Sequence, residues 1–400
     1  SAPRAALART QATPGGTLVF GAWQTPDTMD PHKTGLAATH RILVNIFDNL
    51  LRFRPGDTEF RPGLAEGWEV SADGLEYTFF LRNDVVFHNG EPFDAYAVKY
   101  TFDRMKDPAN ETLDTGPVDY KQTDVVDPYT VRVIFSKPFA PFLLYMSQPS
   151  VYCPLPPEFA AANPEGMGLM PPGTGPFKMT DYQHGSHAVL ERFEEYAWGD
   201  DVLAGRTGPA LLDRIDWRII AEPGTRAATL ESGESDMIEE VLPAQVETFR
   251  GNPAYQLIDQ ATTGAPRKVV LNCVKAPTND KLVRQAMNYA VDKRIITDVI
   301  FRGTVEPAYG PLEKLTPGYN PAVEEMYGFD PERARQLLDE AGWVMDGEYR
   351  KKDGEELVAK FIVIAKDNFD EPAQVLQSQF KDIGLRLELT SESEPTVFET

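Results

Sequence analysis

Apolar positions along this chain switch between alternate spacing and every third or fourth residue, and the switches mark its elements. Residues 17–20 are a short apolar run behind Gly15-Gly16 and read as a strand. Over 39–51, Ile42, Ile46 and Leu50, with Val44, Phe47 and Leu51, recur at helical spacing and predict a helix with a buried stripe. Trp68 and Val70, then Tyr77, Phe79 and Leu81, alternate with polar residues on either side of Asp73-Gly74, a hairpin signal. Asn89-Gly90 marks a further turn. Residues 95–105 return to helical spacing, with Ala95, Val98, Phe102 and Met105 on one face, and 129–135 alternate again as a strand.

The second half continues the mixture. Residues 154–176 are rich in Pro and Gly and end Pro171-Pro172-Gly173-Thr174-Gly175-Pro176, which predicts a crossing between lobes. Residues 212–220 read as a strand, and 223–232 as a helix opened by Pro223. A long helical pattern covers 281–301. Asp330 is a good N-cap with Pro331 at the first helical position, and Gly342 ends that helix. Residues 361–365 read as a buried strand. Pro372 opens a helix that Gly384 closes, and Leu385, Leu387 and Leu389 alternate after it. This β-α-β order predicts a right-handed crossover in a sheet covered by helices, so the fold class is α/β. No repeat of about 20–50 residues is visible.

Charge narrows the function classes. The 400 residues correspond to two or three folding units at about 150 residues each. They carry 39 Lys and Arg against 61 Asp and Glu, a net charge of −22. That excludes the basic footprint of a nucleic-acid binder and adsorption to an anionic membrane. Hydrophobic residues at 42% and charged residues at 25% give the balance of a globular chain. No apolar run approaches the roughly 18 residues of a membrane span. Residues 1–16 read as a flexible leader. Cys153 and Cys273 are expected to be two separate buried thiols, with a single bridge as the alternative.

Motifs of catalysis are missing: the chain has no HExxH, GxSxG, GxxxxGK[ST] or GxGxxG. His184 and His187 sit in a polar segment without a helical face or a nearby cysteine, so metal binding is not expected there. His32 and His88, beside turns, are read as hydrogen-bonded structural residues. The acidic pairs Glu194-Glu195 and Glu239-Glu240 are read as solvated surface. An α/β hydrolase acting through paired carboxylates is the enzyme alternative. The expectation is no enzyme and no cofactor.

An ordered set of motifs goes further. Residues 67–82 (GWEVSADGLEYTFFLR), followed by 86–93 (VFHNGEPF), resemble the signature of the family 5 solute-binding proteins, the peptide and nickel receptors of bacterial ABC importers. Met29-Asp30-Pro31-His32-Lys33, Gly173-Thr174-Gly175-Pro176-Phe177, Asn272 with Lys275-Ala276-Pro277, residues 283–292 and residues 334–343 agree in order. The resemblance covers about 17–390. It implies a two-lobed periplasmic-binding-protein fold: 17–44 and 170–263 as lobe I, 45–169 as an extra small α+β domain, and 264–400 as lobe II. Members of the family run on past the equivalent of Thr400, so lobe II is expected to be incomplete. Trp68, Tyr77, Phe79, Trp343 and the 282–296 helix are read as core.

The resemblance also implies a job. A receptor of this family captures a solute, here expected to be an oligopeptide, and delivers it to a membrane permease; oligosaccharide and nickel or haem complexes are the alternatives within the family. It would be extracytoplasmic, periplasmic or lipid-anchored at the outer face of the cytoplasmic membrane, and monomeric. Thr34, Gly35 and Leu36 follow the DPHK turn and are expected to line the ligand cleft. Thr263, Gly264 and Ala265 are expected at the hinge entry, before a strand at 269–272. Gln148 aligns with a position that contacts ligand in nickel receptors. Lys366 and Asn368 fall in a loop where some members place an arginine for the ligand carboxylate, with Lys366 as the one cation here. Trp23 is a candidate stacking surface for a sugar or aromatic ligand.

Overall fold

A computed structural model describes residues 13–53, 59–113, 116–199, 208–259, 264–316, 318–364 and 369–392. The chain divides into two compact units, Ser1–Val241 and Leu242–Thr400. The sequence segments 17–44, 45–169 and 170–241 thus share the first unit, and 242–263 fall in the second.

The first unit opens with β1 (Thr17–Ala22) and the helix Ala37–Leu43. A short ladder of β2 (Leu51–Arg52) and β3 (Arg61–Pro62) leads to β4 (Ala65–Val70) and β5 (Glu76–Leu81). The helix Ala95–Lys106 follows, capped by Asp94, whose carboxylate accepts from the Tyr96 and Ala97 N–H groups. Then come β6 (Tyr120–Asp127) and β7 (Thr130–Phe135), and beyond the Pro-rich crossing β8 (Phe177–Gln183), β9 (His187–Arg192), β10 (Arg214–Ile219) and β11 (Met237–Ile238). Among the described residues these strands form two larger sheets. One has the order β4-β5-β7-β6 and is antiparallel; the other has the order β11-β1-β10-β9-β8, with β1 parallel to both β10 and β11. Each sheet has its own apolar core. Phe79, Phe87, Phe93, Phe102, Phe135 and Phe142 fill the first, and Phe20, Ile42, Ile46, Leu190, Ile215 and Trp217 the second.

The predicted helix over 39–51 stops at Leu43, although Ile46, Phe47, Leu50 and Leu51 are buried as the stripe requires. Its carbonyls are taken by other segments. Asn45 O accepts from Phe177 N–H (3.0 Å), Ile46 O from Gly175 N–H (2.7 Å) and Asn49 O from Leu64 N–H (2.9 Å). A carbonyl committed sideways no longer closes the next helical turn.

His88 joins the same seam between the two cores. The Gly173 N–H donates to its Nδ1 (3.2 Å), so the ring proton sits on Nε2 and faces the Gly175 carbonyl at 2.9 Å. Burial pushes its pKa down to about 4, against the pull of the Gly175 carbonyl. The unfolded chain takes up this proton near pH 6.5 and the folded chain only near 4. Stability held by the neutral ring is therefore complete above pH 6.5 and lost as pH falls towards 4, to a limit of about 3 kcal/mol. Urea titrations at pH 7, 5.5 and 4 should show this loss in the wild type and a flatter profile in His88→Gln. Parallel profiles would remove His88 as the source.

In the second unit, β12 (Val344–Asp346), β13 (Tyr349–Lys352) and β14 (Glu355–Glu356) form a small antiparallel ladder. β15 (Val358–Ile364) and β16 (Arg386–Glu392) pair in parallel, joined by the helix Asp370–Asp382. The β-α-β tail read from the sequence is therefore present. β15 alternates rather than burying continuously: Val363 is inside and Ile362 outside. The cap at Asp330 forms, its carboxylate accepting from Arg333 N–H (2.9 Å). The long pattern over 281–301 breaks into the helix Lys281–Tyr289 and a wide-turn segment, Ile295–Ile300. Asp292 starts the second piece by accepting from Arg294 N–H (3.0 Å).

Two expectations need correction. Residues 269–272 form no strand among the described residues, and Val269 and Val270 are exposed. Their β-branched composition is right for a strand, but a strand also needs a ladder partner, which composition does not supply. Cys153 is buried and Cys273 exposed; both are free thiols, so only one of the two is a core group.

Candidate functional site

The parallel strands β11, β1 and β10 end together at Ile238, Ala22 and Ile219. The carboxyl ends of such strands, where the order of connection reverses about the central strand, are where open α/β sheets take their ligands. The turns leaving β10 and β11 are bound to one another by Arg226, a buried residue of the helix Pro223–Ser232. Its Nε donates to Glu239 O (2.8 Å) and its Nη2 to Glu240 O (3.0 Å). Its Nη1 reaches Ile220 O (2.7 Å) and Ala221 O (3.1 Å). The helix is held in place for this by Glu222, whose carboxylate caps the N–H groups of Gly224 and Thr225.

Glu239 is thereby set beside the end of β1. Its Oε1 accepts from Trp23 N–H (3.2 Å), and its Oε2 meets the Arg41 guanidinium in a short ion pair. Burial raises the pKa of Glu239, and Arg41 and the Trp23 N–H draw it back down. Glu240, next in the chain, is exposed and has a left-handed backbone, with φ of 54°. The acidic pair read from the sequence as solvated surface is thus split: Glu240 is solvated, and Glu239 is an anchored half-buried carboxylate.

Arg41 lies in the last turn of the helix Ala37–Leu43, and the turn before that helix carries Thr34, Gly35 and Leu36. Asp27 organises it: its Oδ1 accepts from Thr28 N–H (2.9 Å) and from the hydroxyls of Thr34 (2.7 Å) and Thr39 (2.8 Å). Thr34 Oγ1 in turn accepts from Leu36 N–H (3.1 Å), and Leu36 is the N-cap residue. Thr34 is buried; Gly35 is exposed. Beneath them Asp30, His32 and Arg104 form a buried polar cluster. His40, whose pKa burial lowers, shares a 2.9 Å hydrogen bond through Nδ1 with Ser150 Oγ. Two residues before Ser150, Gln148 is fixed by its carbonyl, which accepts from Asn49 Nδ2 (2.8 Å).

Trp23 and the Thr34–Leu36 turn are therefore brought to one region, through Glu239 and the Arg41 helix, with Gln148 tied to the same helix by way of Ser150. Gly264 and Ala265 belong to the second unit. Gly264 has φ of +103°, and its N–H donates to Thr316 Oγ1 (2.7 Å). Thr263, Lys366 and Asn368 lie outside the described residues. The sequence reading singles out neither Arg41 nor Arg226, and takes Glu239 only as solvated surface. A visible signal was an arginine beside Ala227 on the apolar side of a short capped helix. Among the described residues no group of three His, Cys, Asp or Glu could hold a metal ion. His187 pairs with Asp181 (3.0 Å), and His184 Nδ1 lies 3.3 Å from the Tyr182 hydroxyl. No helix among them is long and apolar enough to cross a membrane.

Solved structures with the same fold define the class. A periplasmic binding protein of Helicobacter pylori, solved with the peptide STSA, matches over 96% of this chain and 75% of its own, with a TM-score of 0.81 and 26% identity. A Brucella suis protein solved with Fe(III)-EDTA matches over 96% and 76%, with a TM-score of 0.79 and 29% identity. The α/β binding-protein fold expected from the motifs is therefore present. Residues 59–400 match the model of the bacterial extracellular solute-binding proteins, family 5, and the chain belongs to that family. Curated relatives include heme-binding protein A of Haemophilus influenzae, 34% identical over 74% of this chain and 56% of its own length. The dipeptide-binding protein of Escherichia coli is 32% identical over 82% and 63%. The chain thus spans less than two thirds of the length of these two relatives. These are binding proteins, not enzymes, and the hydrolase alternative is set aside.

Proposed function

We propose that this protein is the extracytoplasmic solute receptor of an ABC importer, and that its solute is an oligopeptide. The observation that carries the receptor reading is family membership across residues 59–400; the dipeptide-binding relative and the peptide-bound Helicobacter pylori protein favour a peptide as the solute. The carboxyl ends of β1, β10 and β11 are the place where the first unit would contact solute, with Trp23 beside them and Thr34, Gly35, Leu36 and Gln148 linked to them through the helix Ala37–Leu43. Main-chain hydrogen bonds hold the peptide, which permits many sequences. The partner is a membrane permease. The receptor acts as a monomer, in the periplasm or lipid-anchored at the outer face of the cytoplasmic membrane.

A thermal-shift panel on the intact protein tests this, with di- to octapeptides, cello- and xylo-oligosaccharides, nickel–histidine and haem as probes. A peptide present at about 100 times its Kd adds about 2.7 kcal/mol, a rise in Tm of several degrees. A rise with peptides alone is expected. A rise with sugar, nickel or haem alone would replace the peptide by that solute, and turnover of a probe would end the receptor reading.

A further inference from the structure

Arg41 and Glu239 are unequal partners, and the inequality has a consequence for the solute. Glu239 is the fixed one. Its side chain is 14% exposed, against 40% for Arg41. One carboxylate oxygen is held by the Trp23 N–H, and its own carbonyl is held by Arg226. The Arg41 guanidinium engages Glu239 alone among the described residues, at the end of a long side chain with many rotamers. An exposed arm of that kind swings out into water without losing hydration of its own, so the cost of parting the pair falls on Glu239. The anchored, partly desolvated carboxylate that remains needs a cation in return.

We infer that Glu239 selects solutes carrying a cationic group, an ammonium or guanidinium, and that Arg41 sits where that group docks. The inference rests on the receptor reading above and deepens it. Charge supports it at two ranges. Glu240 adds a second carboxylate on the adjoining turn, and the net charge of −22 draws cations towards the molecule. The opposite assignment, a solute carboxylate on the remaining N–H groups of Arg41, is what the Glu peptides below report on.

Binding of matched probes by calorimetry tests it on the intact protein. The probes are Ala-X-Ala peptides, with X as Lys, Arg, Gln, Leu or Glu, each with a free or acetylated N-terminus. The proteins are the wild type, Glu239→Gln, Arg41→Met and Glu240→Gln, each checked for a cooperative melt. In the wild type the cationic member of each pair should bind about tenfold tighter than its neutral counterpart, the worth of one hydrogen-bonded charge. Glu239→Gln should shrink that preference to within about twofold, while Arg41→Met and Glu240→Gln keep it. A preference that survives in Glu239→Gln overturns the inference. So does one lost equally in Glu240→Gln, which would make it a field effect. A preference for Glu peptides that Arg41→Met abolishes assigns recognition to Arg41 instead. Binding of all probes without regard to charge sinks the inference and leaves the receptor standing; binding of none sinks both.

Discussion

Gly173→Ala is expected to cost the first unit upwards of about 4 kcal/mol, in the exceptional tail of single substitutions. A Cβ at this position would stand 2.0 Å from the Ile46 carbonyl oxygen and 2.8 Å from its carbon, with the Phe47 ring at 2.9 Å. Two of these neighbours are backbone, which no rotamer change can clear. The backbone itself is pinned from several sides. Gly175 N–H donates to Ile46 O, His88 N–H donates to Gly173 O (2.8 Å), and Trp198 Nε1 donates to Thr174 O (3.1 Å). Relief of the clash must therefore break the seam that joins the two cores. Gly90→Ala is the control. Gly90 has φ of +87° and nothing within 4 Å of the added carbon, so it should lose only the left-handed penalty of about 1–2 kcal/mol. Chemical denaturation of both variants reads the difference. A Gly173→Ala midpoint as high as that of Gly90→Ala would show that the seam yields where the geometry says it does not.

That seam also shows what a sequence does and does not reveal. The Gly-Thr-Gly-Pro run is legible as a break in regular structure, because Gly and Pro punctuate local backbone. What it packs against is not, because Ile46, His88 and Trp198 are remote in sequence. The Asp73-Gly74 hairpin and the caps at Asp330 and Gly342 were legible for the same local reason: each is settled within a few residues. The pattern over 39–51 predicts too long a helix because its hydrophobic stripe is real while its carbonyls are claimed by residues far away. Valines at 269–272 announce a strand, yet pairing is a tertiary property. The candidate site divides in the same way. The Thr34–Leu36 turn is proposed from a resemblance to a family, and Trp23 from the stacking chemistry of its ring. Glu239 and Arg226 are reached by neither route, because a charged residue on a short helix or beside another acid looks like surface until the strand ends are placed around it.

Arg104→Ala should destabilise the first unit by about 3–5 kcal/mol, since it leaves a buried carboxylate without its cation. Arg104 and Asp30 have side chains only 5% and 2% exposed. The guanidinium forks onto Asp30, Nη2 to Oδ2 at 2.5 Å and Nη1 to Oδ1 at 3.2 Å, while Nη1 also donates to His32 Nδ1 at 3.0 Å. Asp30 Oδ1 accepts the His32 N–H as well (3.1 Å). The cluster thus ties the turn before the Ala37–Leu43 helix to the helix Ala95–Lys106. Arg104→Lys keeps the charge but loses the fork and should fall between wild type and alanine. The double variant Asp30→Asn/Arg104→Met should recover part of the loss, because no uncompensated charge is then buried. A double-mutant cycle by urea denaturation measures the coupling, and hydrogen exchange at residues 28–40 follows the turn itself. Exchange there should rise in Arg104→Ala ahead of global unfolding, because Thr34 and Leu36 hang on the turn that Asp30 anchors. If Arg104→Ala lost less than about 1 kcal/mol, or if the turn stayed as protected as in the wild type, the cluster would not be what holds Thr34, Gly35 and Leu36 in place for a solute.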